Sequence, residues 1–338
     1  MGRNHLRILS SLPDTSLVAI SDPLPDALAS AATASGAQAF ADPRAMLDRS
    51  GLDAVVIAAP TTAHLPLALA AIERGVAVLV EKPIAATVEE GLQISRAAAV
   101  AGVPVQVGHI ERFNPAVREL GSLLRAGALS QVYAITSRRA GPFPARIRDV
   151  GVTIDLATHD ADILSWIARE RPLRVSAETA QRIHAGHEDL LFGLLHFPDG
   201  VIGMLDVNWL TPDKRRSLVV LGAEGMFELD YLTQRLTFTK GSDGPAPQLI
   251  GGYAPTFEGD VSEIRINHQE PLVAELGAFL HVVRHGGRPE VDALDGLWAV
   301  GIADALLRAA REQRAIDLSD LGAVLGAVGA GGDVGASQ

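Results

Sequence analysis

Cysteine is absent from the 338-residue chain. No disulfide framework, thiolate nucleophile or cysteine-based zinc site can be built, and a cytoplasmic, reducing compartment is expected. A basic run is also missing. With a formal net charge of −11, the chain has no electrostatic footprint for nucleic acid or an anionic membrane, and neither is expected as a partner. No apolar run is long enough to span a bilayer: the most hydrophobic stretch, 54–80, is interrupted by Pro60, His64, Pro66, Glu73 and Arg74. No basic segment followed by an apolar one opens the chain, so no secretion signal is expected. What is present is a chain that is 48% hydrophobic and long enough for two ordinary domains.

Helix-like and strand-like segments alternate through residues 1–108. Leu6, Leu9 and Leu12 mark an opening helix. Strands are expected at 16–22, 38–40, 53–59, 76–80 and 104–107, with helices at 25–35, 43–49, 63–75 and 87–101. This alternation predicts a parallel, doubly wound sheet, the α/β class, whose ligands sit beyond the carboxyl ends of its strands. Asp22, Pro60-Thr61-Thr62 with His64 behind them, Glu81-Lys82-Pro83 and His109 all fall at such ends. Asp22 also lies 20 residues after Gly2. That is the spacing between the last glycine of a dinucleotide-binding turn and the acid that holds the adenosine ribose, and an acid there favours NAD over NADP. Gly2 is then the end of a turn whose strand and earlier glycines are missing. Removing a central strand orphans backbone groups at about 1–3 kcal/mol each. The working chain is therefore expected to begin upstream of Met1, which an in-frame stop codon just before Met1 would rule out.

From 109 the pattern changes. A helix is expected over 111–127, a strand over 131–139, and an arginine-bearing loop over 140–150. Strand-like runs follow at 173–182, 190–197, 201–209, 216–221, 226–230 and 235–239, with Pro198-Asp199-Gly200 as a hairpin turn. A Gly/Pro-rich loop over 241–255 and helices over 271–285 and 291–313 complete an α+β domain built on a mostly antiparallel sheet, spanning 109–321. Residues 322–338, rich in glycine and alanine, are expected to be a flexible tail.

Between the loop and the strands stands Asp155-Leu156-Ala157-Thr158-His159. Four residues apart on a helix, Asp155 and His159 share a face. A carboxylate beside an imidazole orients the ring and stabilises its charged form, which suits a general base. The expectation is that Lys82, Asp155 and His159 meet around one substrate hydroxyl. A purely structural pair at a helix start is the competing reading. No metal site is expected, because no second histidine cluster shares a ligand spacing with these residues.

Asp22 closing the second strand, Pro60 with His64, Glu81-Lys82-Pro83 and Asp155-x-x-x-His159-Asp160, in that order, resemble the Gfo/Idh/MocA oxidoreductases over nearly the whole chain. The resemblance implies a Rossmann domain followed by an open-faced sheet domain, an NAD cofactor, oxidation of a sugar or cyclitol hydroxyl, and homodimers or homotetramers formed through the sheet. It implies that Gly2, Asp22, Pro60, Thr61, His64, Glu81, Lys82 and His109 serve the cofactor, with Glu81 and Lys82 near the nicotinamide ribose. His159 is the candidate base, oriented by Asp155, and Lys82 lowers the pKa of the hydroxyl. Arg112 and Asn114 are expected to line a substrate cleft, and Arg146 and Arg148 to meet a diphosphate. Residues 107–115, 208–212 and 222–231 are similar to those of UDP-sugar dehydrogenases of the UDP-N-acetylglucosamine 3-dehydrogenase type, which makes a UDP-sugar the expected substrate. An inositol or simple sugar, or a cofactor-free binding role after loss of the dinucleotide turn, are the alternatives.

Overall fold

The computed structural model describes residues 1–49, 51–144, 147, 150–241 and 260–332. It opens with α1 (Gly2–Leu9), β1 (Ala19–Ser21), α2 (Pro25–Ser35), β2 (Gln38–Phe40), α3 (Pro43–Arg49), β3 (Ala54–Ile57), α4 (His64–Ile72), β4 (Ala77–Glu81), α5 (Val88–Ala101) and β5 (Val105–Gly108). A 3-10 turn (Ile110–Phe113) leads into α6 (Pro115–Arg125) and β6 (Val132–Pro142). A π-helical turn (Thr153–Ala157) runs into α7 (Thr158–Ala168). Then come β7 (Arg174–Ala180), β8 (Leu190–His196), β9 (Ile202–Asn208), β10 (Leu210–Gly222), β11 (Gly225–Asp230), β12 (Arg235–Lys240) and β13 (Val261–Ile264). The chain ends with α8 (Pro271–His285), α9 (Ala293–Glu312), β14 (Ile316–Asp317) and α10 (Ser319–Gly332).

Two compact units result. The first is Met1–Phe113 with Glu270–Gly301 and Asp320–Gln338; the second is Asn114–Gln269 with Ile302–Ser319. This corrects the expected boundaries at 108/109 and 321/322, because helices from the end of the chain return to the first unit. The reason is burial. β3, β4 and β5 pair in parallel, and β4 is buried along its whole length. One face, with Val78 and Val80, packs with Ala71, Ile72 and Ile94. The other, with Ala77 and Leu79, is covered by Ile8 of α1 and by Leu272, Leu276 and Phe279 of α8. A buried parallel sheet needs apolar cover on both faces. The expected tail is helical as far as Gly332, with Leu325 buried, which suits the high helix propensity of alanine.

The parallel strands form two sheets, β1–β2 and β3–β4–β5, with no ladder between them among the described residues. β1 and β3 therefore each have one edge without a strand among the described residues. These strands are not deeply buried: Ile20, Ser21, Ala54, Val55 and Val56 are half-exposed. Water reaches such edges, so the orphan cost is lower than in a closed core.

The second unit is built on a nine-stranded sheet ordered β13-β12-β11-β10-β6-β9-β8-β7-β14. Every pairing is antiparallel except β6 with β9. β8 alternates strictly: Leu191 and Leu195 are buried, Phe192 and Leu194 exposed. With Ile202, Met204 and Leu221, the latter two form an open apolar face. The expected helix over 111–127 is broken at Asn114, because Pro115 takes the first helical position and Asn114 caps it. β10 starts six residues before the expected strand at 216, and β13, a short edge strand, was not expected. Of the Gly/Pro-rich loop, all but Gly241 lies outside the described residues. No helix among the described residues is long and apolar enough to cross a membrane.

Candidate active site

In the first unit, Asp22, Pro60, Thr61, Lys82 and His109 of the expected cofactor residues follow the ends of strands. Gly2 opens α1, and a Cβ built on it would lie 3.9 Å from that of Ala58, one residue past β3. The α1 N-terminus is thus near a strand end, where its unpaired N–H groups favour an anion. Asp22 follows β1, and its Oδ1 accepts the Leu24 N–H at 2.8 Å, fixing the turn into α2. Pro60 and Thr61 follow β3, Lys82 follows β4 and is half-exposed, and His109 follows β5 and is buried. This set of strand ends with a helix N-terminus fits a dinucleotide such as NAD, with Gly2, Asp22, Pro60, Thr61, Lys82 and His109 as its holders.

Two expected cofactor residues turn inward instead. Glu81 is buried, its Oε1 2.6 Å from Nε2 of His5 on α1. His64 is buried with Nδ1 2.8 Å from the Pro83 carbonyl and Nε2 3.0 Å from the Ala59 carbonyl. Both ring nitrogens thus face backbone carbonyls of the loops after β3 and β4. His5 is a hydrogen-bond partner of Glu81 that only the tertiary fold reveals.

Below this pair lies Glu275 of α8. It is fully buried, with no hydrogen-bond partner for either carboxylate oxygen among the described residues. Burial, reinforced by the charge of Glu81, pushes its carboxyl well above the ordinary value of 4.5. The folded chain therefore keeps a proton that the unfolded chain releases. Stability conferred by that proton is full below pH 4.5 and is lost as pH rises toward the folded value. Glu275→Gln keeps the neutral shape and removes the titration. Its unfolding free energy is expected to fall less steeply above pH 4.5, by about 1.4 kcal/mol per pH unit. Denaturant titrations across pH check this; parallel slopes would refute it.

In the second unit, Asp155 lies in the π-helical turn and His159 in the first turn of α7. Thr153, Leu156, Ala157, Thr158 and Asp160 around them are buried, whereas Asp155 and His159 are half-exposed. Single π turns recur at functional sites, where they redirect side chains. Glu188 fixes this start: its carbonyl accepts the Val152 N–H and its Oε1 the Thr153 N–H, both at 3.0 Å. A Cβ on Gly151 would overlap the Glu188 carboxylate where it now lies, so a larger residue there would displace that side chain. Glu188 is presented by a turn wound around Asp189. Burial alone would raise the Asp189 carboxyl, but N–H groups of Ile183, His184 and Arg182 hold it below the ordinary range. On the inner side, Asp160 accepts Ser137 Oγ at 2.7 Å and Arg139 Nε at 2.8 Å.

Arg112 and Asn114, expected to line a substrate cleft, are each bonded to groups of the protein itself. Arg112 is buried and pairs with both carboxylate oxygens of Asp295, at 3.2 and 3.4 Å. Asn114 is buried; its Oδ1 accepts the Ala116 N–H and its Nδ2 donates to the Tyr231 carbonyl, both at 3.1 Å. A buried guanidinium needs a buried anion, and a helix start needs a cap. Arg146 and Arg148 lie outside the described residues. No group of three or more His, Asp or Glu side chains is arranged to hold a metal among the described residues.

Comparisons with known proteins agree with this division. Residues 1–109 match a family model described as the oxidoreductase family with an NAD-binding Rossmann fold, and residues 117–228 one described as the GFO/IDH/MocA C-terminal domain. Inositol 2-dehydrogenase 4 of Saccharopolyspora erythraea is 29% identical over 313 residues, covering 90% of this chain and 89% of that protein. The scyllo-inositol 2-dehydrogenase (NAD(+)) of Bacillus subtilis is 28% identical over 321 residues, 90% of each. Among solved structures, UDP-N-acetylglucosamine 3-dehydrogenase GnnA from Acidithiobacillus ferrooxidans superposes with a TM-score of 0.81 at 23% identity, covering 91% of this chain and 93% of that one. The last likeness speaks for the fold.

Proposed function

Because the chain belongs to the Gfo/Idh/MocA family of NAD-binding oxidoreductases, we propose that it oxidises a secondary hydroxyl of a cyclitol or simple sugar. The observation that carries this reading is the half-open Asp155 and His159 pair on an otherwise buried helix start, in a chain whose other unit binds NAD. When bound, NAD supplies the hydride acceptor. Gly2, Asp22, Pro60, Thr61 and His109 hold it at the strand ends. Lys82 hydrogen-bonds the reacting hydroxyl and lowers its pKa by its charge. His159 takes the proton, and Asp155 stabilises the imidazolium that forms. The open face of the second sheet, bearing Phe192, Leu194, Ile202, Met204 and Leu221, is proposed to pair with a second copy of the chain.

The substrate reading has moved from a nucleotide sugar to a polyol. The stretches that resemble UDP-sugar dehydrogenases do structural work here. Asn114 caps α6. Asn208 Oδ1 accepts Leu210 N, Thr211 N and Thr211 Oγ1 at 2.7–3.1 Å. Gly225, at φ +150°, closes the β10–β11 hairpin where any Cβ would meet the Thr239 carbonyl. Such residues specify turns, and the curated relatives named above are inositol dehydrogenases by name. A UDP-sugar is the second reading, favoured by the arginine pair at 146 and 148.

The test is NAD reduction, read at the nicotinamide band, with myo-inositol, scyllo-inositol, hexoses and UDP-N-acetylglucosamine. Reduction is expected with a cyclitol or free sugar. Faster reduction with the UDP-sugar would install the second reading. No reduction with any of them, together with no heat of NAD binding in calorimetry, would point to a binding protein.

A further inference from the structure

Lys82 sits between two residues that are each gripped by a buried histidine. On one side, Glu81 extends into the first unit and its carboxylate meets Nε2 of His5 at 2.6 Å. His5 lies on α1, the helix whose first residue is Gly2. Gly108, opposite Glu81 in the β4–β5 ladder, gives that carboxylate room: a Cβ there would stand 3.1 Å from Glu81 Oε2 and 3.2 Å from its Cα. On the other side, the Pro83 carbonyl is bound by Nδ1 of His64, whose Nε2 reaches the Ala59 carbonyl. Both His64 ring nitrogens face backbone carbonyls, one from each loop. His64 thereby ties the loop after β4 to the loop after β3. Neither histidine is needed merely to fill space. An apolar residue packs a buried position without desolvating an imidazole.

Lysine is scarce in this chain. The sequence has three, Lys82, Lys214 and Lys240, beside 26 arginines. A lysine side chain is long and carries several rotatable bonds, so a segment that must aim its ammonium has to be held at the backbone. The two histidines do this from opposite ends.

We propose that His5 and His64 are positioning residues that fix the Glu81-Lys82-Pro83 turn and so aim the Lys82 ammonium at the reacting hydroxyl. This rests on the reading of Lys82 as a group acting on that hydroxyl. His5 also links the helix that opens at Gly2 to the strand that ends at Glu81, so one hydrogen bond joins the helix start to the segment that carries the ammonium.

The experiment uses the full chain with lysine carrying 13C at Cε. Three side-chain signals result, and Lys82→Arg assigns one. In His5→Leu and in His64→Leu the Lys82 signal is expected to shift and broaden, while Lys214 and Lys240 stay in place. Turnover is expected to fall about 10- to 100-fold, as small misplacements of a reacting group do, with a smaller change in KM for NAD. His5→Gln retains a donor for Glu81 and is expected to recover most of that loss. His64→Gln, which keeps a donor for one of the two carbonyls, is expected to fall between. If a leucine variant does not fold, its glutamine counterpart is compared with wild type by the same two readouts. An unmoved Lys82 signal with turnover within twofold of wild type would overturn the proposal. A moved Lys82 signal together with full turnover in Lys82→Ala would keep the positioning and reject the catalytic reading beneath it.

Discussion

Replacing His159 with alanine is expected to lower turnover about 100- to 10,000-fold, the usual worth of a positioned acid or base, while NAD affinity stays within a few-fold of wild type. The asymmetry follows from the two units. The family match assigns dinucleotide binding to residues 1–109, and His159 belongs to the other unit. Asp155→Asn, which keeps the shape but removes the charge that stabilises an imidazolium, is expected to fall short of the full loss. Lys82→Ala is expected to lower turnover comparably. The decisive measurement is the double variant. Two groups that act on one transition state lose more singly than their effects sum to together, so Lys82→Ala with His159→Ala should be far less damaging than the product of the two. Strict multiplication would mean that the two residues serve separate events. Unchanged turnover in His159→Ala would remove it from the chemistry altogether. The pH profile is an independent check, since the limb that reports ionisation of the base should vanish with the imidazole.

The parts of this arrangement that could be read from the sequence are those that depend on local pattern. Alternating apolar strands and helices predict the parallel sheet, and the helix expected over 87–101 begins where the Thr87 side chain accepts the Glu90 N–H at 3.2 Å. Strand ends followed from that, and with them the positions of Asp22, Pro60, Lys82 and His109. What pattern could not supply were partners far away in the chain. Arg112 looks like a cleft residue because it follows a strand, yet its charge is spent on Asp295, 183 residues on. His5 reads as a packing residue of a short helix, yet its partner is 76 residues away. Glu275 lies in a helix whose apolar stripe gives no reason for a carboxyl at its centre. The tail misled for a different reason. Glycine and alanine together suggest fraying, but alanine forms helix readily and the apolar stripe of Leu321 and Leu325 needs only one surface to cover it. The π-helical turn at Asp155 was invisible as well, because a four-residue spacing fits an α-helix equally.

Asp160→Ala is expected to cost about 3–5 kcal/mol, the range for stripping one partner from a buried ion pair, and to lower the midpoint of thermal unfolding by roughly 6–20 °C. Its carboxylate is wholly buried between Ser137 and Arg139 of β6. Removing it leaves the Arg139 guanidinium buried without that anion, its remaining neighbours including the face of Tyr231, 5.3 Å from the ring centre. Tyr231 is in turn tied by its carbonyl to Asn114, so the residue first read as a substrate ligand is a brace for this network. The partner replacement separates stability from placement. Exchanging both members for apolar residues, Asp160→Leu with Arg139→Met, is expected to restore most of the lost stability, because well-packed hydrophobic side chains replace buried ion pairs without penalty. Turnover is not expected to return with it. Asp160 is the residue after His159, and its two hydrogen bonds fix the rotation of α7 on the sheet, which apolar contacts leave free to adjust. A double variant that regains both the melting midpoint and the turnover would show that the ion pair serves folding alone. One that regains only the midpoint would show that this buried pair sets the direction in which the imidazole points.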